Sequence, residues 1–187
     1  MRTIYFVTGN QGKIDNMNQI LYEFTDRIQF EMLMLDFKEI KDEDSMENTA
    51  LNKAVTCHEM TGKEVIANDS GIFIEALNGF PGVNTGFTLR TIGNQGIIQL
   101  MEGKENRKAM YQVSIGYVNK EGVKKAFTAI SDIEIATLEE GEEGFGWDFI
   151  ALGDGEYFSK NLDNEKRMYP TRETIRQLVE FLEKDET

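Results

Sequence analysis

Thr3-Ile4-Tyr5-Phe6-Val7-Thr8 runs directly into Gly9-Asn10-Gln11-Gly12-Lys13 at the start of this chain. Every residue of the first segment is β-branched or aromatic, the composition of a buried strand, and Gly9-Asn10 stops it. Past Lys13 the apolar residues Ile14, Met17, Ile20, Leu21 and Phe24 recur at helical spacing. A strand, a glycine loop and a helix in that order open an α/β fold. The loop is also a place for an anion, because N–H groups at a helix start lack intrahelical partners and the helix dipole favours negative charge. Glycines let the backbone come close to a phosphate, and Lys13 adds a point charge there. The spacing is not that of a Walker A loop, and a plain turn is the competing reading.

Working outward, Phe30 to Phe37 is apolar enough for a second strand, followed by Lys38-Glu39-Ile40-Lys41 and the acidic run Asp42 to Asp44. Asp44 with Glu47 resembles a capping pair for a helix from about Ser45 to Thr61, ended by Gly62. Val65 to Ala67 and Ile72 to Ile74 read as short strands flanking a turn at Asp69-Ser70-Gly71. A carboxylate at that position can hold a metal or take a proton from water, although Asp-Ser-Gly is also ordinary turn chemistry. Gly79, Pro81 and Gly82 mark a loop, and Ile92 to Met101 reads as a helix. Tyr111 to Val118 and Val123 to Ile135 suggest antiparallel strands joined near Asn119 to Gly122. Gly141 to Asp148 is a second glycine-rich loop, and Pro170 is expected to start a final helix with Ile175, Leu178, Val179 and Leu182 on one face.

The 187 residues suit a single α/β domain over 1–187, with room for two lobes. Thirty-three acidic against twenty basic residues, a formal charge of −13, argue against a grip on nucleic-acid phosphates. One cysteine, Cys57, excludes an intramolecular disulfide, and its neighbour His58 would point to a different helix face. Ile4 to Val7 is too short for a signal core and no apolar run nears membrane-spanning length, so no membrane association and a cytoplasmic location are expected.

Taken together the segments resemble the inosine triphosphate pyrophosphatases, which clear deaminated purine nucleoside triphosphates. Thr8 to Lys13 matches the Thr-Gly-Asn-x-x-Lys loop of that family, and Glu39 is the best match to its metal-binding glutamate. Glu47-Asn48-Thr49-Ala50-Leu51-Asn52-Lys53-Ala54 is similar to the helix that follows. Asp69 to Gly71 and Leu77 to Val83 match its Asp-Ser-Gly and Leu-Asn-Gly-x-Pro-Gly-Val segments. Gly144-Phe145-Gly146-Trp147-Asp148 matches its base-binding loop, and Lys166, six residues before Arg172, keeps the spacing of its terminal lysine and arginine. The resemblance runs from Thr8 to about Leu182.

It implies an elongated mixed β-sheet with flanking helices, two lobes around a nucleotide cleft, and a homodimer. It implies hydrolysis of a nucleoside triphosphate to monophosphate and pyrophosphate, with Mg²⁺ held by Glu39 and Asp69. Asp69 would orient or deprotonate the attacking water, with Lys13 as the second catalytic residue. Thr8, Gly9, Asn10, Gln11, Gly12 and Lys13 would hold the phosphate tail, helped by Ser70. Phe145 would stack on a purine, within a loop that includes Gly146 and Trp147. Asp148 would accept the N1–H of hypoxanthine or xanthine, and Arg172 would donate to the 6-oxo group, with Lys166 and Thr171 beside them. Adenine would leave such groups unpaired, but guanine shares N1–H and O6, so these two residues do not explain its rejection.

The chain departs from the family where Pro170-Thr171-Arg172 stands for Ser-His-Arg, where Asn16 and Asn68 replace acidic residues, and where Asn84-Thr85-Gly86-Phe87 lacks a basic residue that Arg90 would have to supply. Two alternatives follow: a Maf-like pyrophosphatase of pyrimidine or modified nucleotides, or a nucleotide-binding protein that has lost catalysis.

Overall fold

The opening strand, β1 (Arg2–Val7), leads to Asn10, whose side chain accepts the Lys13 backbone N–H at 3.3 Å and caps α1 (Gln11–Leu21). Ile14, Met17, Ile20 and Leu21 are the buried positions of α1, as their spacing requires, whereas Phe24, expected to continue that face, lies past the helix end in a turn where its N–H donates to the Leu21 carbonyl at 3.0 Å. On the same helix Asn18 donates to the Phe30 carbonyl at 2.9 Å and accepts the Phe30 N–H at 2.8 Å. That pair ties α1 to β2 (Ile28–Leu33), which runs parallel to β1 along its whole length. The structure is a computed structural model and describes residues 1–185.

The second strand stops at Leu33 and does not reach Phe37, because β2 pairs only with β1 and its last register partner is Val7. The second helix, α2 (Met46–Thr61), is capped by Ser45, which accepts the Asn48 N–H at 3.0 Å, not by the expected Asp44. Asp42 supports the cap, accepting the Asn48 side-chain amide at 2.8 Å. Gly62, at φ 65°, ends the helix as expected.

Residues Val65–Ile74 form one continuous strand, β3, so Asp69-Ser70-Gly71 is not a turn between two short strands. β3 sits between β1 and β4 (Lys108–Val118) in the sheet; β1 pairs with its first residues, Val65 and Ile66, and the strand carries on through Asp69 to Ile74, so its incorporation into the sheet overrides the local turn preference of Asp and Ser. β4 returns through β5 (Lys124–Ile135), with the Asn119 side chain accepting N–H groups of Glu121 and Val123 at 3.0 and 2.8 Å in the turn. Two short strands, β6 (Ala151–Gly153) and β7 (Glu156–Tyr157), complete a seven-stranded mixed sheet in the order β2-β1-β3-β4-β5-β6-β7.

The stretch after Gly82 holds a helix, α3 (Thr85–Thr91), ahead of α4 (Gly93–Leu100). The last helix, α5 (Glu165–Asp185), begins before Pro170 and contains it. Asn164 accounts for the early start: its side chain accepts the Lys166 N–H at 3.0 Å and its carbonyl accepts those of Arg167 and Met168.

The chain divides into two compact units, the first built from residues 1–69, 113–129 and 171 onward, the second from 70–112 and 130–170. In the first, Val7, Ala54, Cys57, Val65, Ala67 and Val118 form a buried apolar cluster. Gly116 makes the packing of α2 on β4 possible, since a Cβ there would lie 2.4 Å from the Ala50 carbonyl oxygen. In the second, Ile72, Ile74, Ile97, Met101, Ile133, Ile135, Trp147, Ile150 and Phe158 form the core. Among the described residues no helix is long and apolar enough to cross a membrane.

Candidate active site

Within the first unit the end of β1, the segment after β2 and the side of α2 enclose a cleft of about 390 Å³. Thr8, Gly9, Lys13, Glu39, Lys53 and Asn68 line it, with Leu33, Met34, Leu35 and Phe37 as an apolar wall. Thr8 Oγ1 accepts the Asn10 N–H at 3.1 Å, which shapes the loop from within, while Gln11 turns away to donate to Asp15 at 2.9 Å. Lys13 is exposed as a residue, yet it lines the cleft, and burial and then the Lys53 charge lower its pKa. Asp69 opposes that lowering, which places its carboxylate within electrostatic reach of Lys13. Lys53 donates to Glu39 at 2.9 Å, and Lys41 stands 3.9 Å from the other Glu39 oxygen.

The structure therefore brings Thr8, Gly9, Lys13 and Glu39 into one cleft, with Asp69 coupled to it through Lys13. Lys53 joins them; in the sequence it is marked only by its place one turn after Thr49 on the matching helix segment. Among the described residues no three His, Cys, Asp or Glu side chains gather as a metal cage. The donors present fit Mg²⁺ in the mode that uses one or two carboxylates together with substrate phosphates.

Within the second unit Phe145, Gly146, Trp147 and Asp148 share one loop that closes in a short 3₁₀ turn, Gly146–Phe149. Phe145 is 80% exposed, a flat face open to stacking, whereas Trp147 is only 9% exposed and belongs to the core. Trp147 thus anchors the loop through packing. Gly144 takes φ 113°, and a Cβ there would lie 2.7 Å from Asp148 Oδ2, so the loop wraps its backbone around that carboxylate. Asp148 accepts the Phe145 N–H at 2.8 Å and is gripped by Arg167, Nε to Oδ1 and Nη2 to Oδ2, both at 3.1 Å. Arg167 carried no signal in the sequence, because its partner lies 19 residues away across a loop, strands and a turn.

Lys166 does not join Asp148 among the described bonds; it lines a separate groove of about 410 Å³ with Glu75, Lys108, Asp132, Glu134 and Asp154. Ser70, half-buried on β3, belongs to the second unit by one residue. Thr171 and Arg172 fall in the first unit, where Arg172 donates to Glu23 at 3.0 Å. Arg90 lies in the last turn of α3 in the second unit.

The family model described as Ham1 family matches residues 4–181. A relative named dITP/XTP pyrophosphatase from Methanopyrus kandleri is 44% identical over 153 residues, 82% of this chain and 80% of its own. Another with the same name, from Methanosarcina mazei, is 36% identical over 183 residues, 98% of this chain and 97% of its own. A solved Ham1 protein from Coxiella burnetii superimposes with a TM-score of 0.81 at 23% identity, covering 98% of this chain and all of that one, which shows the shared fold. Matched in sequence over nearly its whole length, with the motif resemblance borne out, the chain belongs to the Ham1 family.

Proposed function

We propose that this protein hydrolyses deaminated purine nucleoside triphosphates of the dITP and XTP type to the monophosphate and pyrophosphate, in the presence of Mg²⁺. The observation that carries this reading is the cleft of the first unit, where two ammonium groups, Lys13 and Lys53, meet Glu39 and the start of α1. Such a site suits a polyphosphate: the ammoniums and the first N–H groups of the helix bind its oxygens, and Thr8 adds a hydroxyl. Glu39 and Asp69 would hold the Mg²⁺, which when bound offsets triphosphate charge and eases departure of the pyrophosphate. Asp69 accepts a proton from the water whose oxygen attacks the α-phosphorus; the α–β bridging P–O bond breaks and pyrophosphate leaves. Phe145 offers its exposed ring to the base, and Asp148 offers a carboxylate oxygen to N1–H. The names borne by the two archaeal relatives support the same substrate class.

The test pairs turnover with binding. Wild-type protein should release pyrophosphate from ITP and XTP faster than from UTP or dTTP, and Asp69→Asn should bind ITP while turnover drops by about 10²- to 10⁴-fold. Equal turnover in both proteins would remove Asp69 from the reaction, and a preference for UTP or dTTP would replace the substrate class.

A further inference from the structure

A carboxylate has roughly four acceptor positions on its two oxygens. On Asp148 three are used: Arg167 Nε at Oδ1, and Arg167 Nη2 with the Phe145 N–H at Oδ2. Oδ2 is therefore saturated, and one acceptor position remains, on Oδ1. The guanidinium is itself held, since Nη1 donates to the Leu162 carbonyl at 2.8 Å. With the Asp148 side chain only 11% exposed, water has little room to take over what Arg167 does.

We propose that Arg167 is a specificity-determining residue that excludes guanine, resting on the assignment of Asp148 to the base edge made above. By occupying Oδ2 it leaves Asp148 able to take one N–H from a base and unable to take two adjacent ones. Hypoxanthine and xanthine present N1–H with no donor at C2. Guanine presents N1–H and its 2-amino group side by side, the pair that a carboxylate with both oxygens open receives together. Here the amino group finds Oδ2 already filled and the Arg167 Nη2 donor beside it, so it stays unpaired on desolvation. This supplies the discrimination against guanine that Asp148 cannot supply through N1–H alone.

The experiment measures kcat/KM for ITP, XTP and GTP on the full chain with Mg²⁺, for wild type, Arg167→Met and Arg167→Lys, with thermal unfolding to confirm that each variant folds. Wild type should favour ITP and XTP over GTP. In Arg167→Met the GTP to ITP ratio should rise about tenfold, one hydrogen bond's worth. In Arg167→Lys, a point charge without the planar fork, the ratio should fall between the two. A ratio that stays at the wild-type value, including an equal loss of all three substrates, overturns the proposal and leaves Arg167 as a loop brace. Absence of ITP turnover by wild type is a different failure, one that overturns the reaction itself and this proposal with it.

Discussion

Lys13 carries a consequence that a plain loop lysine would not. Burial, then Lys53, lower its pKa, so its ammonium is lost at lower pH than that of an ordinary lysine. Because kcat/KM reports the free enzyme, its alkaline limb should begin below the usual lysine range. Lys53→Met removes the repulsion and should move that limb to higher pH, while Lys13→Arg should abolish it. A limb indifferent to both substitutions would assign it to another group. Asp69 shows the converse lesson. Its neighbours in sequence suggest a turn, yet Asp69 sits in the middle of strand β3, whose extended backbone is part of the sheet.

Helix α2 joins the cleft to the core of the first unit. Lys53 faces the cleft, while Ala50, Ala54 and Cys57 are buried against the sheet. Burial pushes the Cys57 thiol up from 9.0 to about 11, with Lys53 opposing. A folded pKa above the unfolded one means that this contribution to stability is complete below about pH 9 and is lost as pH rises through about 11. Chemical denaturation at pH 7.5 and pH 10.5 should show wild type losing more stability between the two than Cys57→Ala. Parallel losses would show that the thiol does not titrate with folding. The boundaries of the elements follow the same balance of local and distant forces. The end of α2 lies where Gly62 puts it, whereas α1 stops at Leu21, short of Phe24, and β2 is shorter than its apolar run because its partner strand has ended.

Taken whole, the protein carries −13 formal charges yet is assigned an anionic substrate. On the proposed reading, binding would rest on the ammonium pair of the cleft and on a divalent cation that shields the triphosphate. Stripping divalent cations with EDTA should abolish pyrophosphate release from ITP, and added Mg²⁺ should restore it; activity undiminished by the chelator would end the metal assignment. Homodimerisation is part of the same reading, and light scattering on a size-exclusion column should give twice the 21.3 kDa of one chain. A monomer mass would withdraw it.

Much of this was legible in the linear order of residues, because periodicity, capping and glycine placement are local. The strand, loop and helix through Lys13, the hairpin at Asn119 to Gly122, the exposed Phe145 loop and the family itself could be read that way. What could not be read depends on pairing between distant segments. That Asp69 lies in a strand and not on a turn depends on the incorporation of Val65–Ile74 into the sheet between β1 and β4. That Lys53 stands by Glu39, and that Arg167 takes both oxygens of Asp148, rests on approaches across 14 and 19 residues that no motif encodes. Local order therefore named the elements and the chemistry they carry, and the packed chain chose which charges meet, since Coulomb and hydrogen-bond energies depend on distance in space and not along the sequence.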